Sequence, residues 1–541
     1  PSRIFEGVHL GVEDGGNKSG IPTVNGAIYF DQDYSGKPLV FCGTVGVLPQ
    51  ILKDGRNGAQ KYVKPQDRIV MIGGEIGADG IHGATFSSLE LDENSPATAV
   101  QIGDPLTQKR VGDFLMEARD LGLYSAITDN GAGGLSSSVG EMATITGGAV
   151  IDLSLAPVKY PGLKPFELMI SESQERMTLA VPPEKINDFM NLAKRRNVLA
   201  SDLGYFDDSG RLNVYYKKDL VASLDLHWLH DGLLDMNLSA VWDGPRERKN
   251  WLPEKVKPSL NSTSFDKMTL NNLLKSSNIA SKESYVRRYD HEVQAATALK
   301  PFGGKNSDGP NDSGVVWLYP HGGEKDNAVS IGCGLAPRVG VSDPYMMAQF
   351  SVDEAIRNIV ATGADIDKVC LLDNFCWPDP VKSAKNFDGD YKLGQLVRTC
   401  KGLYDICMAY GTPLVSGKDS MKNDFRGKNR KGDELQISIL PTLLVTAMGQ
   451  TSIKRILSSD FKKDGDSIYI IGKSTSGLSQ SELLEIYELP IEHNLPEIDI
   501  HKNYKLYQQM KLAMDQELLS SCHDISDGGA LVAISESCIG G

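Results

Sequence analysis

Residues 125–138, SAITDNGAGGLSSS, put the carboxylate of Asp129 at the end of an apolar strand, with a glycine-rich turn and then a helix behind it. A carboxylate so placed can hold Mg²⁺, and the N–H groups of the turn can meet phosphate oxygens. The same residues also suit a plain turn or helix cap. Residues 71–88, MIGGEIGADGIHGATFSS, follow a strand with five glycines, which lets backbone N–H groups approach a phosphate closely. Their spacing is neither GxxxxGK[ST] nor GxGxxG, so a long loop is the alternative, and His82 stands there without a second acid–base group. Residues 170–177, ISESQERM, bring acceptors and hydroxyls to a strand entrance, either to hydrogen-bond a polar substrate or as an ordinary polar turn. Residues 413–424, PLVSGKDSMKND, combine Gly417 with Lys418, Asp419 and Ser420, a set suited to phosphate and metal contacts. Neither GxSxG nor HExxH occurs, which leaves hydrolase chemistry with little support.

Positioning such groups takes strands and helices, and the chain supplies them twice. GIPTVNG at 20–26 recurs as GTPLVSG at 411–417, an offset of 391. DRIVMIG at 67–73 recurs as DSIYIIG at 466–472 (offset 399), and DNGAGG at 129–134 as DISDGG at 524–529 (offset 395). Three ordered matches with so little drift imply two copies of one unit, at a period far too long for a solenoid. Short β-rich runs such as 27–30 and 39–42 precede a region where strands alternate with amphipathic helices. Segments 67–73 and 466–472 each read as a buried strand ending at glycine. Residues 111–121 read as a helix with Val111, Phe114, Leu115 and Ala118 on one face. The pattern predicts an α/β (α+β) protein, each unit a β-rich half followed by an α/β half. Expected boundaries are 1–64 and 65–250 for the first unit, and 285–453 and 454–541 for the second. A Lys-, Ser- and Asn-rich linker spans 251–284, with a short helix around 269–274.

Ahead of Gly411 the second copy has globular sequence from about Tyr285, whereas the first has 19 residues ahead of Gly20. After Gly134 the first copy runs on well past the length at which the second stops. Both units are therefore expected to be incomplete, at opposite ends, in a chain that is the middle of a longer polypeptide.

The 541 residues exceed the roughly 250–300 at which one core stops growing, so several domains are expected. Apolar residues are 40% and charged residues 23%, an ordinary globular balance. No apolar run reaches the roughly 18 residues that cross a bilayer, and no export signal opens the chain. The eight cysteines are scattered without CxxC pairs and read as reduced core thiols, so a cytoplasmic location and no membrane contact are expected. A net charge of −14 argues against nucleic-acid binding. The basic stretches 194–196 and 422–431 read as solvated faces or loops.

Together GIPTVNG, DGIHGATFSS, AVQIGDP, DNGAGGLSSS, SESQERM, YDHEVQ, DPYMMAQFSVDEAIRNIVATGAD and HDISDGG resemble the synthetase portion of formylglycinamide ribonucleotide amidotransferase, also called phosphoribosylformylglycinamidine synthase. The strings run from Gly20 to Gly529, essentially the whole chain. The resemblance implies tandem aminoimidazole-ribonucleotide-synthetase-like units whose β-rich halves pair into a central barrel. It implies ATP and Mg²⁺, and a reaction in which the formamide oxygen of formylglycinamide ribonucleotide (FGAR) is phosphorylated to an iminophosphate that ammonia then displaces. Ammonia would come from a glutaminase subunit or fused glutaminase domain, with a small accessory subunit as a further partner.

Carried over by motif, the resemblance assigns substrate contacts to Gln101, Glu172, Ser173, Gln174 and Ser420. It assigns ATP contacts to Asp373 and Gly417, and a metal contact to Asp129. Lys418 stands where the small-subunit form has a metal-binding Asn. The family's catalytic histidine motif does not occur and is expected upstream of Pro1, so this piece is predicted not to catalyse the reaction unaided. A nucleotide-binding scaffold is the alternative of a different class. Single-unit relatives such as aminoimidazole ribonucleotide synthetase or selenophosphate synthetase are disfavoured by the duplication.

Overall fold

The structure, a computed structural model, describes residues 2–81, 90, 103–246, 267–429, 431–473, 478–487, 495–496 and 498–541. Helix α1 (Ser2–Ser19) runs into Gly20, and residues 21–48 then carry no strand. This corrects the reading of 27–30 and 39–42 as strands. Their composition favours β structure, but among the described residues no neighbouring strand supplies the ladder that would fix it.

Strand β1 (Arg68–Gly73), helix α2 (Pro105–Asp120), β2 (Ala126–Asp129), α3 (Gly134–Thr146) and β3 (Gly148–Asp152) come next. They are followed by β4 (Arg176–Val181), α4 (Ile186–Arg195), β5 (Ala200–Asp207), β6 (Arg211–Tyr216), β7 (Asp219–Asp225) and α5 (Leu226–Asp231). The seven strands form one sheet in the order β2-β4-β1-β5-β3-β6-β7, with β1 antiparallel to both β4 and β5. Ile69 and Met71 of β1 join a core with Leu135, Val139 and Met142 of α3. Val70 and Ile72 face the opposite core, with Val111, Phe114 and Ala118 of α2 and Phe189 and Leu192 of α4. Both faces of the sheet are covered, which explains why β1 is a continuous apolar run rather than an alternating one. The expected face of α2 is buried, with Leu115 packed at its margin.

Helix α6 (Lys267–Leu274) lies where a short helix was expected, and its Leu273 packs against Leu483, Tyr487 and Val532. The second unit contains β8 (Thr297–Leu299), β9 (Phe302–Gly303), β10 (Gly309–Pro310), β11 (Gly314–Trp317), β12 (Asn327–Leu335) and α7 (Pro344–Ala361). It continues through β13 (Val369–Cys376), α8 (Gly389–Tyr410), β14 (Leu414–Ser420), β15 (Asp424–Lys428), β16 (Glu434–Ser438) and β17 (Thr442–Ser452). Six of these strands form a sheet in the order β14-β13-β17-β12-β11-β8, parallel only between β13 and β14. Helices α7 and α8 cover it, packing Ile356, Ile359, Leu403 and Ile406 on Leu371, Val445 and Ala447. Helices α9 (Glu482–Tyr487), α10 (Ile500–Asp515) and α11 (Gly529–Gly540) follow.

The duplication is visible in the backbone. Gly20 and Gly411 have φ of 72° and 65°, Gly73 and Gly472 of 105° and 109°, and Gly133 and Gly528 of 77° and 85°. Segment 466–472 is nevertheless not a buried strand, and Tyr469 is 79% exposed. In the first unit β1 is held by β4 and β5, both from beyond the glycine-rich turn. Among the described residues no strand flanks 466–472 in that way, so its backbone groups lack a ladder.

The arm after α1 crosses onto the second unit. Thr23 N–H donates to the Asp290 carbonyl at 2.9 Å, Gln294 Nε2 donates to the Gly20 carbonyl at 2.9 Å, and Tyr34 and Thr442 share a hydroxyl hydrogen bond of 2.7 Å. All eight cysteines are free. The core-thiol reading is corrected: Cys376 is buried, but Cys42, Cys400 and Cys538 are exposed, because apolar neighbours in sequence do not guarantee cover in space. No helix among the described residues is long and apolar enough to cross a membrane.

Candidate functional site

Asp129 ends the edge strand β2 and is exposed. Its carboxylate folds back over the turn, where a Cβ on residue 131 would sit 2.5 Å from Oδ2 and push the carboxylate aside. Asn130 points inward. Its N–H donates to the Arg176 carbonyl at 3.2 Å, and its Oδ1 accepts from the Thr178 hydroxyl at 2.8 Å.

Glu172 joins two glycine-rich segments. Its Oε1 accepts from Gly133 N–H at 3.3 Å, at the entrance to α3, and its own N–H donates to the Asp79 carbonyl at 3.0 Å. A carboxylate at that helix N-terminus is favoured by the unpaired N–H groups and the helix dipole. Ser173 is fully buried. It donates to Asp79 Oδ2 at 2.6 Å and accepts from Gly77 N–H at 3.0 Å, so its hydroxyl is engaged inside the protein. Gln174 is exposed, and its Nε2 donates to the Glu172 carbonyl at 2.7 Å. The next residue, Glu175, is a non-glycine in the left-handed region (φ 56°), a strained backbone of the kind that collects at functional sites. Burial raises its carboxyl above the usual range. Burial also acts to raise Asp79, but the Lys159 ammonium at 2.7 Å and the Ser173 hydroxyl outweigh it and hold that carboxyl low. The loop 77–80, residues 172–174 and the turn 129–134 therefore form one wall. Gln101 and His82 lie outside the described residues.

In the second unit Asp373 and Gly417 are register partners across the parallel pair β13–β14. A Cβ on residue 417 would meet Asp373 Oδ1 at 2.6 Å, so the carboxylate lies over the glycine. Burial raises the Asp373 carboxyl. Lys418 and Asp419 are exposed on the same edge strand, and Ser420, paired with Cys376, accepts from Asn423 Nδ2 at 3.1 Å. A contact between the units reaches this region: Arg426 of β15 donates through Nε to Glu90 Oε2 at 2.7 Å.

One cluster was not assigned from sequence. Asp312, His523 and Asp524 bring potential ligand atoms within 4.8 Å of one another. His523 Nδ1 is 2.6 Å from Asp312 and Nε2 is 3.0 Å from Glu536, so both ring nitrogens are engaged by carboxylates. Asp312 Oδ2 is buried without a hydrogen-bond partner, and Asp524 is held by Arg357 Nε at 3.2 Å and by the Ser526 hydroxyl at 2.6 Å. Two carboxylates, one with an orphaned oxygen, are a donor set that suits a hard divalent cation. The signal was present in the repeat, which maps Asp129 onto Asp524, whereas nothing local marked Asp312.

The family described as "AIR synthase related protein, C-terminal domain" matches residues 64–217 and 463–541, and "AIR synthase related protein, N-terminal domain" matches 1–48 and 310–449. The phosphoribosylformylglycinamidine synthase subunit PurL of Thermoplasma volcanium is 31% identical over 553 residues, covering 100% of this chain and 67% of the relative. The subunit of the same name from Methanothermobacter thermautotrophicus is 32% identical over 546 residues, covering 99% and 70%. Among solved structures, Thermotoga maritima PurL complexed with FGAR superposes with a TM-score of 0.64 at 21% identity, over 95% of this chain and 71% of that one. The same protein complexed with ATP gives a TM-score of 0.58 at 21% identity, over 85% and 67%, and the structure of PurLQS from that organism gives 0.57 at 21% identity, over 84% and 66%. These structural likenesses carry the fold.

Proposed function

We infer, because the chain belongs to the PurL family of phosphoribosylformylglycinamidine synthases, that it serves the ATP-dependent conversion of FGAR to formylglycinamidine ribonucleotide in purine biosynthesis. The formamide oxygen attacks the γ-phosphorus of ATP and ADP leaves. Ammonia then adds to the activated carbon, and phosphate departs with the C–O bond to give the amidine. A glutaminase partner supplies the ammonia, as the word subunit in the relatives' names and the PurLQS assembly support.

The observation that carries this reading is the wall in which Glu172 ties the loop 77–80 to the turn 129–134. Glu172 and Gln174 face the ribonucleotide, and Ser173 contributes its backbone while its hydroxyl anchors the loop. Asp373 over Gly417, with Ser420 beyond, contributes the nucleotide side from the second unit. Asp129, exposed at a strand end, and the Asp312–Asp524 pair are the residues suited to Mg²⁺, which when bound neutralises charge developing on the transferred phosphoryl group.

FGAR- and ammonia-dependent ADP release, measured on this chain and on a version extended upstream, tests the reaction. Nucleotide binding without ADP release in both would favour a scaffold instead. Asp129→Asn is expected to weaken Mg²⁺-dependent nucleotide binding by about tenfold or more, the scale of losing a charged contact. Unchanged binding would remove Asp129 from the metal site.

A further inference from the structure

Arg176 opens β4 directly behind the wall. Its side chain is buried, at 3% exposure, and among the described residues it forms no ion pair. It spends its donors on backbone instead: Nε donates to the Ser173 carbonyl at 2.8 Å and Nη2 to the Ser171 carbonyl at 2.5 Å. One guanidinium thus holds the carbonyls of the residues on either side of Glu172. Its own carbonyl accepts from Asn130 N–H at 3.2 Å, next to Asp129. Strand β1 closes on the same place, where a Cβ on Gly73 would lie 1.9 Å from the Glu175 carbonyl oxygen and 3.2 Å from Arg176 Cα. The third segment arrives through Ser173, which bonds both Asp79 and Gly77 N–H.

Among the described residues no carboxylate lies within ion-pair distance of the guanidinium, the Asp79 charge acting on it only from further off, and a methionine or leucine would fill much of the same volume without the cost of burying a charge. What an apolar side chain lacks is the planar fork, which fixes two acceptors at once. Burial pulls the guanidinium down to about 10, which leaves it charged at neutral pH.

We propose that Arg176 is a positioning residue for the ribonucleotide: its fork sets the backbone of residues 171–174 so that Glu172 and Gln174 are presented to the substrate. This rests on reading residues 172–174 as the substrate wall. Arg176→Lys keeps the charge but loses the two-carbonyl grip, and Arg176→Met removes all the donors. The measurement is calorimetric titration of the whole chain with FGAR and, separately, with Mg·ATP, alongside amide hydrogen exchange.

Arg176→Lys is expected to weaken FGAR binding by about tenfold and Arg176→Met by more, with Mg·ATP binding within about twofold of the parent, as loss of charged hydrogen bonds confined to one subsite would give. Amide exchange at 171–174 is expected to rise ahead of the rest of the sheet. An equal loss of both ligands, or unchanged FGAR binding in a folded variant, would overturn the proposal. If Arg176→Met does not fold, Arg176→Lys decides. Glu172→Gln and Gln174→Ala separate the two claims. If they weaken FGAR binding while the Arg176 variants do not, only the positioning role fails. If they leave FGAR binding unchanged, or if the parent chain does not bind FGAR, the wall reading fails and the positioning role falls with it.

Discussion

Asp129 and Asp524 occupy the same place in the two units, before turns whose paired glycines have φ of 77° and 55° in one and 85° and 71° in the other. Their charge environments differ. Asp129 is open to solvent, whereas Asp524 is gripped by Arg357 and lies beside a His523 that bridges Asp312 and Glu536. Burial opposes a charged His523, but the hydrogen bonds to Asp312 and Glu536 outweigh it and push the imidazole up to about 10. That lies above the ordinary value of 6.5, so the stabilisation is complete below about pH 6.5 and is lost as pH rises through about 10. The loss of thermal stability caused by His523→Gln should therefore be greatest near pH 6.5 and shrink toward pH 10. A cost that does not vary over that range would show the ring to be neutral in the folded protein. The strand end and turn that place Asp129 were legible because they are written in six consecutive residues. Asp312 was not, because its partners lie over two hundred positions away and only the fold joins them.

Helices α7, α8 and α10 converge on a single buried carboxylate. Asp353 of α7 accepts on Oδ1 from the Tyr410 hydroxyl of α8 at 2.6 Å, and from the Tyr507 hydroxyl at 2.9 Å and Asn503 Nδ2 at 3.1 Å, both of α10. Oδ2 takes Arg357 Nη1 at 2.7 Å, and Arg357 in turn reaches Asp524. The three helices and the candidate cation cluster are thus tied through Arg357, which pairs with both Asp353 and Asp524. Asp353→Asn should lower the free energy of unfolding by about 2 kcal/mol, because the buried acceptor shared by Tyr410, Tyr507 and Arg357 loses its charge while Arg357 keeps Asp524. Tyr507→Phe removes one of the three donors to Oδ1 and should cost about 1 kcal/mol. Denaturant titration of both variants checks the ranking, and equal costs would mean that packing, not charge, dominates the junction. Element types were readable wherever periodicity was strong, as for α2 and β1. The failure at 466–472 has a definite cause: an apolar segment becomes a strand only when other strands lie beside it, and those come from elsewhere in the chain.

At the scale of the molecule, the repeat offsets revealed two units, but they could not show how the first unit's arm is used. Residues from α1 to about Ser35 lie on the second unit. Arg288 pairs with Glu6 and Glu13, each at 3.0 Å. Arg338, itself 9% exposed, bonds Glu482 at 2.6 Å, lies 3.5 Å from Asp31 and has its guanidinium 5.6 Å from the Tyr29 ring. A second strap runs the other way along the chain. Trp242 stacks on Tyr391 of α8 at 5.2 Å, Arg246 covers the same ring at 3.7 Å, and Val241 N–H donates to the Asp390 carbonyl at 2.9 Å. With contacts at both ends of the first unit, the covalent connection should be dispensable for assembly. Residues 1–246 and 267–541, co-expressed as separate chains, are expected to elute together in gel filtration; separate elution would show that the connection itself holds the units. The partly exposed Arg288 pairs should be screened by salt, since the Debye length falls to about 3 Å at 1 M, while the enclosed Arg338 contacts and the aromatic strap should persist. Arg338→Ala should therefore loosen the split pair most at high salt, where the aromatic strap and the uncharged hydrogen bonds are left to hold the parts together. If the variant holds together as well as the parent, Arg338 is not the anchor of the arm and the remaining contacts carry the association.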